Sequence, residues 1–559
     1  MAESIASKTS SMDGFASGRR HAIAVLYFGL AAIVLYPVFA TQMPGLVDFP
    51  NHIARLHILG NLDADPVLAT NYQENWGVMP NLAMDALLYP FAKLVSVELL
   101  GRIFVAAIML MLLGGTMALS SAVHGRLSCW PALAGLLVYN HMLTWGFANY
   151  LFGIGLCLFA FAAWIATGNR NRWLRLAVFS AITSLLFFAH LFALTVYGLC
   201  VTAYEVGRLL AAPSAGRRKI LREQVFAAGQ FVIPALIVFG SKPETGVRDF
   251  TYGTGLDKLR AVWSPTLMYS ESVDLAVFAF LIVVIVVGSR LKPARTLRWP
   301  LIVLTVAALA MPYYMLGAWG AAVFGDMRLP VVIMLLLVAG LPPDSVRFKI
   351  GIAIVSIGAA LALWRVDSVT ARWQDIDRQF AEFRRALTVV ERGAAVLPVQ
   401  YQYTGTYGTQ YGFEPNYWHM TAFAIIDRSA FVPHVFTDPA KQPVSATARR
   451  ATIDSSAGRP VTRDELRAGA DREYARTTPR ANQYGSSRYW LNWQHRFDYA
   501  VVIHFGKSVN PYPDLLRPVA HGSFFDIYRI SPATCITLDV KDIPGTCWPE
   551  TRVSGAPGD

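Results

Sequence analysis

The chain has 559 residues, of which 54% are hydrophobic and only 15% are charged. About a quarter of the residues of a soluble globular protein are charged, so this composition excludes an ordinary soluble enzyme. The apolar residues fall in blocks of roughly 17 to 25, the length that crosses a bilayer as a helix. A net charge of +12 could also indicate nucleic-acid binding, but in a polytopic membrane protein it reflects Lys and Arg retained in cytoplasmic loops.

The first apolar run, residues 21–40, follows a polar tail, residues 1–20, that ends in Arg19 and Arg20. A cleaved signal peptide is the alternative, but its apolar core is usually shorter and ends at a small-residue cleavage site. Here the run ends in TQMPGLVDFP. The sequence therefore predicts an uncleaved first span with a cytoplasmic N-terminus, and a first outer loop over residues 41–81.

The apolar pattern predicts a transmembrane module over residues 21–365. After the first loop its apolar segments are 82–97, 101–123, 128–145, 147–167, 174–189, 190–207, 225–240, 273–289, 298–316, 329–341 and 347–364. Its basic loops, predicted to be cytoplasmic, are 168–175, 207–223, 289–298 and 344–349. These loops place 241–272, 317–328 and the C-terminal domain on the outer side of the membrane.

The number of apolar segments before residue 168 conflicts with that orientation. Four segments between residues 82 and 167 would return the chain to the wrong side of the membrane, so one of them cannot cross fully. The short segment 82–97 contains Asp85 and is the candidate for a helix that lies at the interface. The prediction is therefore about 11 spans.

Residues 366–559 lack further apolar blocks and are predicted to form a soluble α/β or α+β domain. Residues 366–391 have the spacing of an amphipathic helix. Strands are predicted at AAVLPVQ (394–400), AFAIID (422–427), YAVVIHF (499–505) and SFFDIYRI (523–530). Cys535 and Cys547 enclose a short polar loop, and either a disulfide in an oxidising compartment or two thiols fits the sequence.

The stretch VDFPNHIAR, directly beyond the first span, contains a polar cluster. Asp48, Asn51, His52 and Arg55 stand at i, i+3, i+4 and i+7, so a helix would place all four on one face. Pro50 suits a first helical turn, and one interpretation makes Asp48 only the N-cap of a solvated helix. The other makes it a functional site at the membrane boundary.

Residues of these types could transfer a sugar from a lipid phosphate. A carboxylate in a partly desolvated cleft can accept the proton of an attacking hydroxyl. A nearby His or Arg can stabilise the phosphate of the leaving group, because cationic donors bind phosphate oxygens strongly. Such a site must lie at the membrane surface, since the lipid tail of the donor stays in the bilayer.

The pattern VDFPNHIARLHIL resembles the GT-C superfamily of integral-membrane glycosyltransferases, which use polyprenyl-phosphate sugars on the outer face of the membrane. WGVMPNLAMDALLYP, GFANYLFGIGLCL, FFAHLFAL and GDMRLP are similar to motifs of its bacterial branch. The resemblance covers nearly the whole chain. It implies an inverting transferase, with Asp48 as general base or acceptor-binding acid and with His52 and Arg55 as its neighbours. Many members have a second acid beside the first, where this chain has Phe49, so the resemblance leaves a divalent cation open and assigns no metal ligand.

Three further residues are candidates for substrate binding, together with Asn51. Glu74 lies in the same outer loop, His190 falls inside apolar sequence, and Arg328 precedes an outward-starting span. Ionisable groups within membrane segments are functional candidates, although a hydrogen-bonded structural His and a headgroup-level Arg remain alternatives. A D-x-D at Asp63 and Asp65 lies in a turn-rich loop and is interpreted as a turn.

Other functions fit parts of the sequence. The aromatic stretch 401–419 is either a sugar-binding groove or packed loops. A lipid or polysaccharide transporter or flippase would place ionisable residues deep in its spans and repeat its halves. An O-antigen polymerase or ligase would carry its key residues in a large later loop, and a non-catalytic assembly scaffold would need none. Under the transferase hypothesis the partners are the lipid-linked donor, the bilayer and a glycan, lipid or protein acceptor, and not a nucleic acid.

Overall fold

The computed structural model describes residues 2–240, 249–289, 294–317, 320–343, 348–401, 415–455, 458–479, 487–504, 508–531, 535–537 and 547–549. Its α-helices are α1 (Ala2–Ala40), α2 (Phe49–Asn61), α3 (Pro66–Ala69), α4 (Ala83–Leu88), α5 (Val97–His124), α6 (His141–Thr144), α7 (Ala148–Ala166), α8 (Arg172–Ala189), α9 (Leu191–Ala211), α10 (Ser214–Gly229), α11 (Val232–Gly240), α12 (Gly255–Trp263), α13 (Glu271–Ser289), α14 (Arg298–Ala310), α15 (Gly325–Ala339), α16 (Phe348–Ala386), α17 (Phe423–Arg428), α18 (Arg463–Ala470) and α19 (Arg472–Thr477). Its strands are β1 (Tyr72–Glu74), β2 (Asp249–Thr251), β3 (Tyr314–Gly317), β4 (Gly320–Val323), β5 (Val396–Gln400), β6 (Val444–Ala446), β7 (Tyr499–Ile503), β8 (Leu516–His521), β9 (Phe525–Ile530), β10 (Cys535–Thr537) and β11 (Cys547–Pro549).

The chain divides into two compact units. The first contains Met1–Leu46, Val78–Leu87 and Glu98–Asp375, and the second contains Val47–Gly77, Leu88–Val97 and Ile376–Asp559. Most of the first outer loop therefore packs with the C-terminal residues. The sequence places that loop in the transmembrane module. Local hydropathy carries no information about which distant residues a loop contacts, so this packing could not be predicted from it.

Several helices are long and apolar enough to cross a membrane, which supports the predicted membrane association. Among the described residues there are five, and a sixth if α10 and α11, bent by 45°, form one broken span. The five are His21–Ala40, Val97–His124, Ala148–Ala166, Arg172–Ala189 and Ala353–Val389. The predicted total of about 11 spans is not reached when only helices of this length and hydropathy are counted, because several apolar segments form shorter helices or strands.

The segment 128–145 is not the helix that its hydropathy predicted. It forms a 3-10 helix, Trp130–Leu136, followed by the single turn α6. Asn140 separates the two pieces, because its side-chain nitrogen donates to Leu137 O at 2.8 Å and its oxygen caps α6 at Leu143 N. A side chain that bonds the backbone in this way competes with regular helix.

This irregular segment runs alongside α1 in the same chain direction. The Tyr27 hydroxyl donates to Ser128 O at 3.4 Å, and the Tyr139 hydroxyl donates to Val34 O at 2.5 Å. Almost every residue from Trp130 to Trp145 is buried. Irregular backbone is tolerated at membrane depth only when it is enclosed by protein, and this segment meets that condition.

Three other predicted segments have different bounds from those that hydropathy indicated. Segment 82–97 contains only α4, six residues long, and a 3-10 helix at Tyr89–Phe91. Segment 298–316 stops being helical at Ala310 and continues into β3. The predicted last span and the amphipathic helix after it are one helix, α16, of 39 residues. No Pro or Gly interrupts the sequence at the junction near residue 365, so the helix continues.

The first unit also contains a small sheet and an amphipathic helix. Strands β2, β3 and β4 pair in that order, both pairs being antiparallel. Helix α12 follows β2 and begins with a capping box, in which Thr254 and Asp257 bond each other's backbone N–H. Strand β2, helix α12 and strand β4 lie in the segments predicted as the later outer loops, whereas β3 begins in the predicted span 298–316.

The second unit is built around a four-stranded sheet of order β5-β7-β9-β8. Strands β5 and β7 are parallel, and the other two pairs are antiparallel. Every residue of β5 and β7 is buried, as expected for apolar strands covered on both faces. The strand predictions at 394–400, 499–505 and 523–530 are confirmed.

The prediction of a strand at 422–427 is wrong. These residues form α17, which packs against α2 and ends at Ser429 in the left-handed conformation. A short, fully apolar run has no period that distinguishes helix from strand, so packing decides its structure. Strands β10 and β11 pair with Thr537 opposite Cys547. The side chains of Cys535 and Cys547 lie outside the described part of the structure, so the choice between a disulfide and two thiols is not addressed there.

Candidate functional site

Asp48 occupies the N-cap position of α2 but does not cap it with its side chain. Its backbone precedes Phe49, Pro50 lies in the first turn, and the side chain makes no capping hydrogen bond. Asp48 Oδ1 instead lies 3.3 Å from Nε2 of His419, and 14% of the Asp48 side chain is exposed. The interpretation of Asp48 as a simple helix cap therefore does not describe this side chain.

The hydrogen bonds around His419 fix its tautomer. Asn51 Nδ2 lies 2.9 Å from the main-chain oxygen of His434 and 2.8 Å from Nδ1 of His419. A carbonyl oxygen can only accept, so the Asn51 amide nitrogen donates both bonds. His419 Nδ1 is then an acceptor, and Nε2 carries the proton and lies 3.3 Å from Asp48 Oδ1.

Burial keeps this histidine neutral. It lowers the pKa of His419 to about 3, and burial also lowers the pKa of the adjacent His434 well below its usual range. Both ring nitrogens of His419 are engaged, one by Asn51 and one by Asp48. His419 therefore positions the carboxylate, and the partly exposed side chain of Asp48 is the group that can exchange a proton.

The remaining cluster residues of α2 lie against the same C-terminal segment. His52 packs edge-on against Phe436, with ring centroids 5.2 Å apart. Arg55 is fully buried, with Nη2 3.3 Å from His52 Nδ1 and its guanidinium 5.7 Å from the Phe436 ring centroid. The helix predicted from the spacing thus exists, but its polar face is buried rather than solvated.

Sequence reasoning missed the partners of this face, namely His419, His434 and Phe436. His419 is the last residue of the aromatic stretch 401–419, and its distance of 368 residues from Asn51 leaves no local signal. His434 has a positive φ of 56°, which is uncommon for a residue with a side chain. Residues 402–414 of the stretch lie outside the described residues.

A second carboxyl group was also missed. Asp454 accepts from the Thr437 hydroxyl at 2.9 and 2.7 Å, through its two oxygens. Burial raises the pKa of Asp454 to about 6. Thr437 follows Phe436 in the chain, so Asp454 is hydrogen-bonded to the segment that contacts α2. A carboxyl group poised near neutral pH is a functional candidate.

The other acids of the first loop have different surroundings. Asp65 caps α3 at Val67 N and Leu68 N and forms an ion pair with Arg392 at 2.7 Å. Asp63, which is exposed, pairs with Lys93 at 3.1 Å. These contacts suit the turn that the D-x-D was predicted to form. Glu74 lies on β1 opposite Val444 and is exposed.

The structure brings His190 and Arg328 together in the first unit. The Tyr150 hydroxyl donates to Arg328 O at 2.6 Å, and its ring contacts His190 with centroids 5.5 Å apart. The Arg328 guanidinium lies 4.7 Å from the ring centroid of Phe147 and 5.4 Å from that of Phe192. His190 caps α9 through Nδ1, which accepts from Phe192 N at 3.1 Å. Asp48, Asn51, His52, Arg55 and Glu74, by contrast, belong to the second unit.

Within the described residues, no group of three or more His, Cys, Asp or Glu side chains could hold a metal ion. The imidazole of His419 lies beside the Asp48 carboxylate. Oxygen-rich sites are the ones that bind Mg²⁺ or Mn²⁺, so the residues present do not build such a site around Asp48.

Comparison with known proteins does not identify a relative. Neither protein-family models nor curated proteins match the chain.

Proposed function

We propose that this protein is a membrane glycosyltransferase that moves a sugar from a polyprenyl-phosphate carrier to a hydroxyl of a glycan, lipid or protein acceptor. One observation supports it most. Asp48 lies eight residues beyond the end of α1, and the buried His419 places its Nε2 3.3 Å from the Asp48 carboxylate. A base at that place in the chain suits a reaction between a lipid-anchored donor and an aqueous acceptor.

In the proposed reaction Asp48 accepts the proton of the acceptor hydroxyl. The oxygen attacks the anomeric carbon of the sugar, and the bond between that carbon and the phosphate oxygen breaks with inversion. The leaving polyprenyl phosphate keeps the electron pair. His419 remains neutral throughout, because its proton stays on Nε2 and orients the carboxylate.

The other α2 residues would support Asp48 rather than react. Asn51 sets the tautomer of His419 by its two donated hydrogen bonds. Arg55 is buried and donates to His52, so its charge acts on a ligand through His52. His190, Arg328 and Glu74 stay predicted substrate ligands, and their roles are separate proposals.

The proposed localisation is the bacterial inner membrane, with the N-terminus in the cytoplasm and residues from Ile376 onward in the periplasm. In this topology the irregular segment 128–145 crosses beside α1 and in the same direction. The short segment 82–97 does not cross. The basic loops at 168–175 and 207–223 are then both cytoplasmic, as the distribution of Lys and Arg requires.

The test uses the purified full-length protein in lipid nanodiscs with a panel of polyprenyl-phosphate sugars and a membrane lipid extract as acceptor. Release of carrier phosphate is measured for wild type, Asp48→Asn and Asp63→Asn. We expect Asp48→Asn to lose about 100-fold or more of the rate, the usual contribution of a general base. Asp63→Asn, the same change at an exposed acid of the same loop, should keep it.

His419 provides a second, graded measurement. His419→Ala should lower kcat with little effect on KM, whereas His419→Gln, which can still present an N–H to Asp48, should recover part of kcat. Equal rates for Asp48→Asn and wild type would remove Asp48 from the mechanism. If no donor releases phosphate, the transporter and scaffold hypotheses take precedence.

A further inference from the structure

Helix α12 in the first unit presents an apolar face to its surroundings. Leu256, Leu259 and Val262 are 69%, 67% and 52% exposed. Their spacing of three residues places them on one side of the helix. A nine-residue helix that exposes three large aliphatic side chains on one side is typical of an element lying flat against an apolar phase.

The apolar surface continues into the strand before the helix. Phe250 and Tyr252 are 55% and 63% exposed. Aromatic side chains with a polar edge are enriched where bilayer and water meet. With the three aliphatic residues of α12 they form a surface that we call the α12 patch.

The opposite side of α12 is fixed to the first unit. Ala261 is buried, and Lys258 Nζ pairs with Asp326 Oδ2 at 3.0 Å. Lys258 also donates to Met311 O. Lys258 therefore faces the protein and its ion pair helps to set the orientation that exposes the patch, whereas Arg260 is exposed and pairs with Asp257.

Helix α14 of the same unit also exposes an apolar stripe. Met311 directly follows α14, on which Ile302, Val306 and Leu309 are 42%, 61% and 65% exposed at helical spacing. A helix of 13 residues is about 20 Å long, less than the roughly 30 Å thickness of the hydrocarbon core. If α14 starts at the headgroups near Arg298, its other end and the attached α12 lie at the level of the bilayer.

We propose that the α12 patch inserts into the membrane interface and anchors this part of the first unit to the lipid surface. The helix is too short to cross, so it lies in the membrane plane with its apolar side among acyl chains and its ion-paired side on the protein. The occupant is a lipid bilayer, because the patch belongs to the unit that contains helices long and apolar enough to cross a membrane. This inference does not depend on the proposed enzymatic activity.

The test places nitroxide labels on the full-length protein in nanodiscs, after the native cysteines Cys129, Cys535 and Cys547 are replaced by Ser. Labels at Leu256→Cys and Leu259→Cys report on the patch. Val306→Cys provides the lipid-facing reference and Glu473→Cys, on α19 of the second unit, the aqueous reference. Collision rates with oxygen, which concentrates in lipid, and with a water-soluble nickel chelate are measured at each position.

We expect the oxygen-to-nickel ratio at both patch positions to match that at Val306 and to exceed that at Glu473 several-fold. A ratio equal to that at Glu473 would show that the patch faces water and would overturn the proposal. Immobile labels shielded from both reagents would indicate a protein partner, such as a second copy, and would overturn it as well. All of these positions are exposed, so each labelled variant should fold, and a normal elution profile checks this.

Discussion

Lowering the pH from 7 to 5 should destabilise the wild-type protein more than the variant His419→Gln. In the unfolded chain His419 titrates near its ordinary pKa of 6.5, whereas burial lowers its pKa to about 3 in the folded protein. The unfolded state therefore takes up a proton in this interval and the folded state does not. The free energy of unfolding that this neutral histidine contributes is present above pH 6.5 and is lost progressively toward pH 3.

The size of the effect follows from the two pKa values. Between pH 7 and pH 5 the protonation of an unfolded histidine with pKa 6.5 costs the folded state about 2 kcal/mol. Burial also lowers the pKa of His434. His434 therefore adds a loss of stability on acidification in both the wild-type protein and the His419→Gln variant. Replacing His419 should thus remove its own contribution, whereas that of His434 remains.

Equilibrium urea unfolding in detergent, followed by tryptophan fluorescence at both pH values, measures this difference. The comparison is made within each protein, so a lower stability of the variant at pH 7 does not affect it. An equal loss in wild type and His419→Gln would refute the reasoning. It would mean that His419 is protonated in the folded protein and forms an ion pair with Asp48, and the proposed tautomer would then be wrong.

Two further predictions concern the first unit. Arg365→Gln should destabilise the protein by about 3–5 kcal/mol in the same urea assay, because the buried charge of Asp274 would lose its partner. The two side chains are 3.0 Å apart and each is 2% exposed. A loss below about 1 kcal/mol, the value for a surface ion pair, would contradict this prediction. Gly155→Ala should lower the temperature of unfolding, since its Cβ would lie 2.6 Å from Cβ of Met111, whereas Gly29→Ala, with nothing within 4 Å, should not. Equal changes in the temperature of unfolding for the two variants would show that the helices around Gly155 can move apart without a loss of stability.

Much of the candidate site could be located from the sequence, but its chemistry could not. The spacing in VDFPNHIAR correctly predicted a helix starting beside Pro50, with Asn51, His52 and Arg55 near one another. It could not reveal that the polar face is buried. Burial depends on residues nearly four hundred positions away, and it changes Asp48 from a helix cap into a carboxylate held by an imidazole.

Residues 128–145 show the same limit in the membrane unit. Their hydropathy indicates a span, yet Asn140 bonds the backbone on both sides and the segment packs beside α1 as irregular chain. Residues 422–427 likewise form α17 rather than a strand, because α2 provides the surface on which they pack.

The sequence by itself determined the membrane class of the protein, the apolar helices His21–Ala40, Val97–His124 and Ala148–Ala166, and the strands β5, β7 and β9. Each of these depends on local hydropathy or side-chain period. Only the tertiary structure decided that the first loop packs with the C-terminal residues and that His419 meets Asp48. Local patterns report which faces of a segment avoid water, but the pairing of distant faces depends on the path of the whole chain.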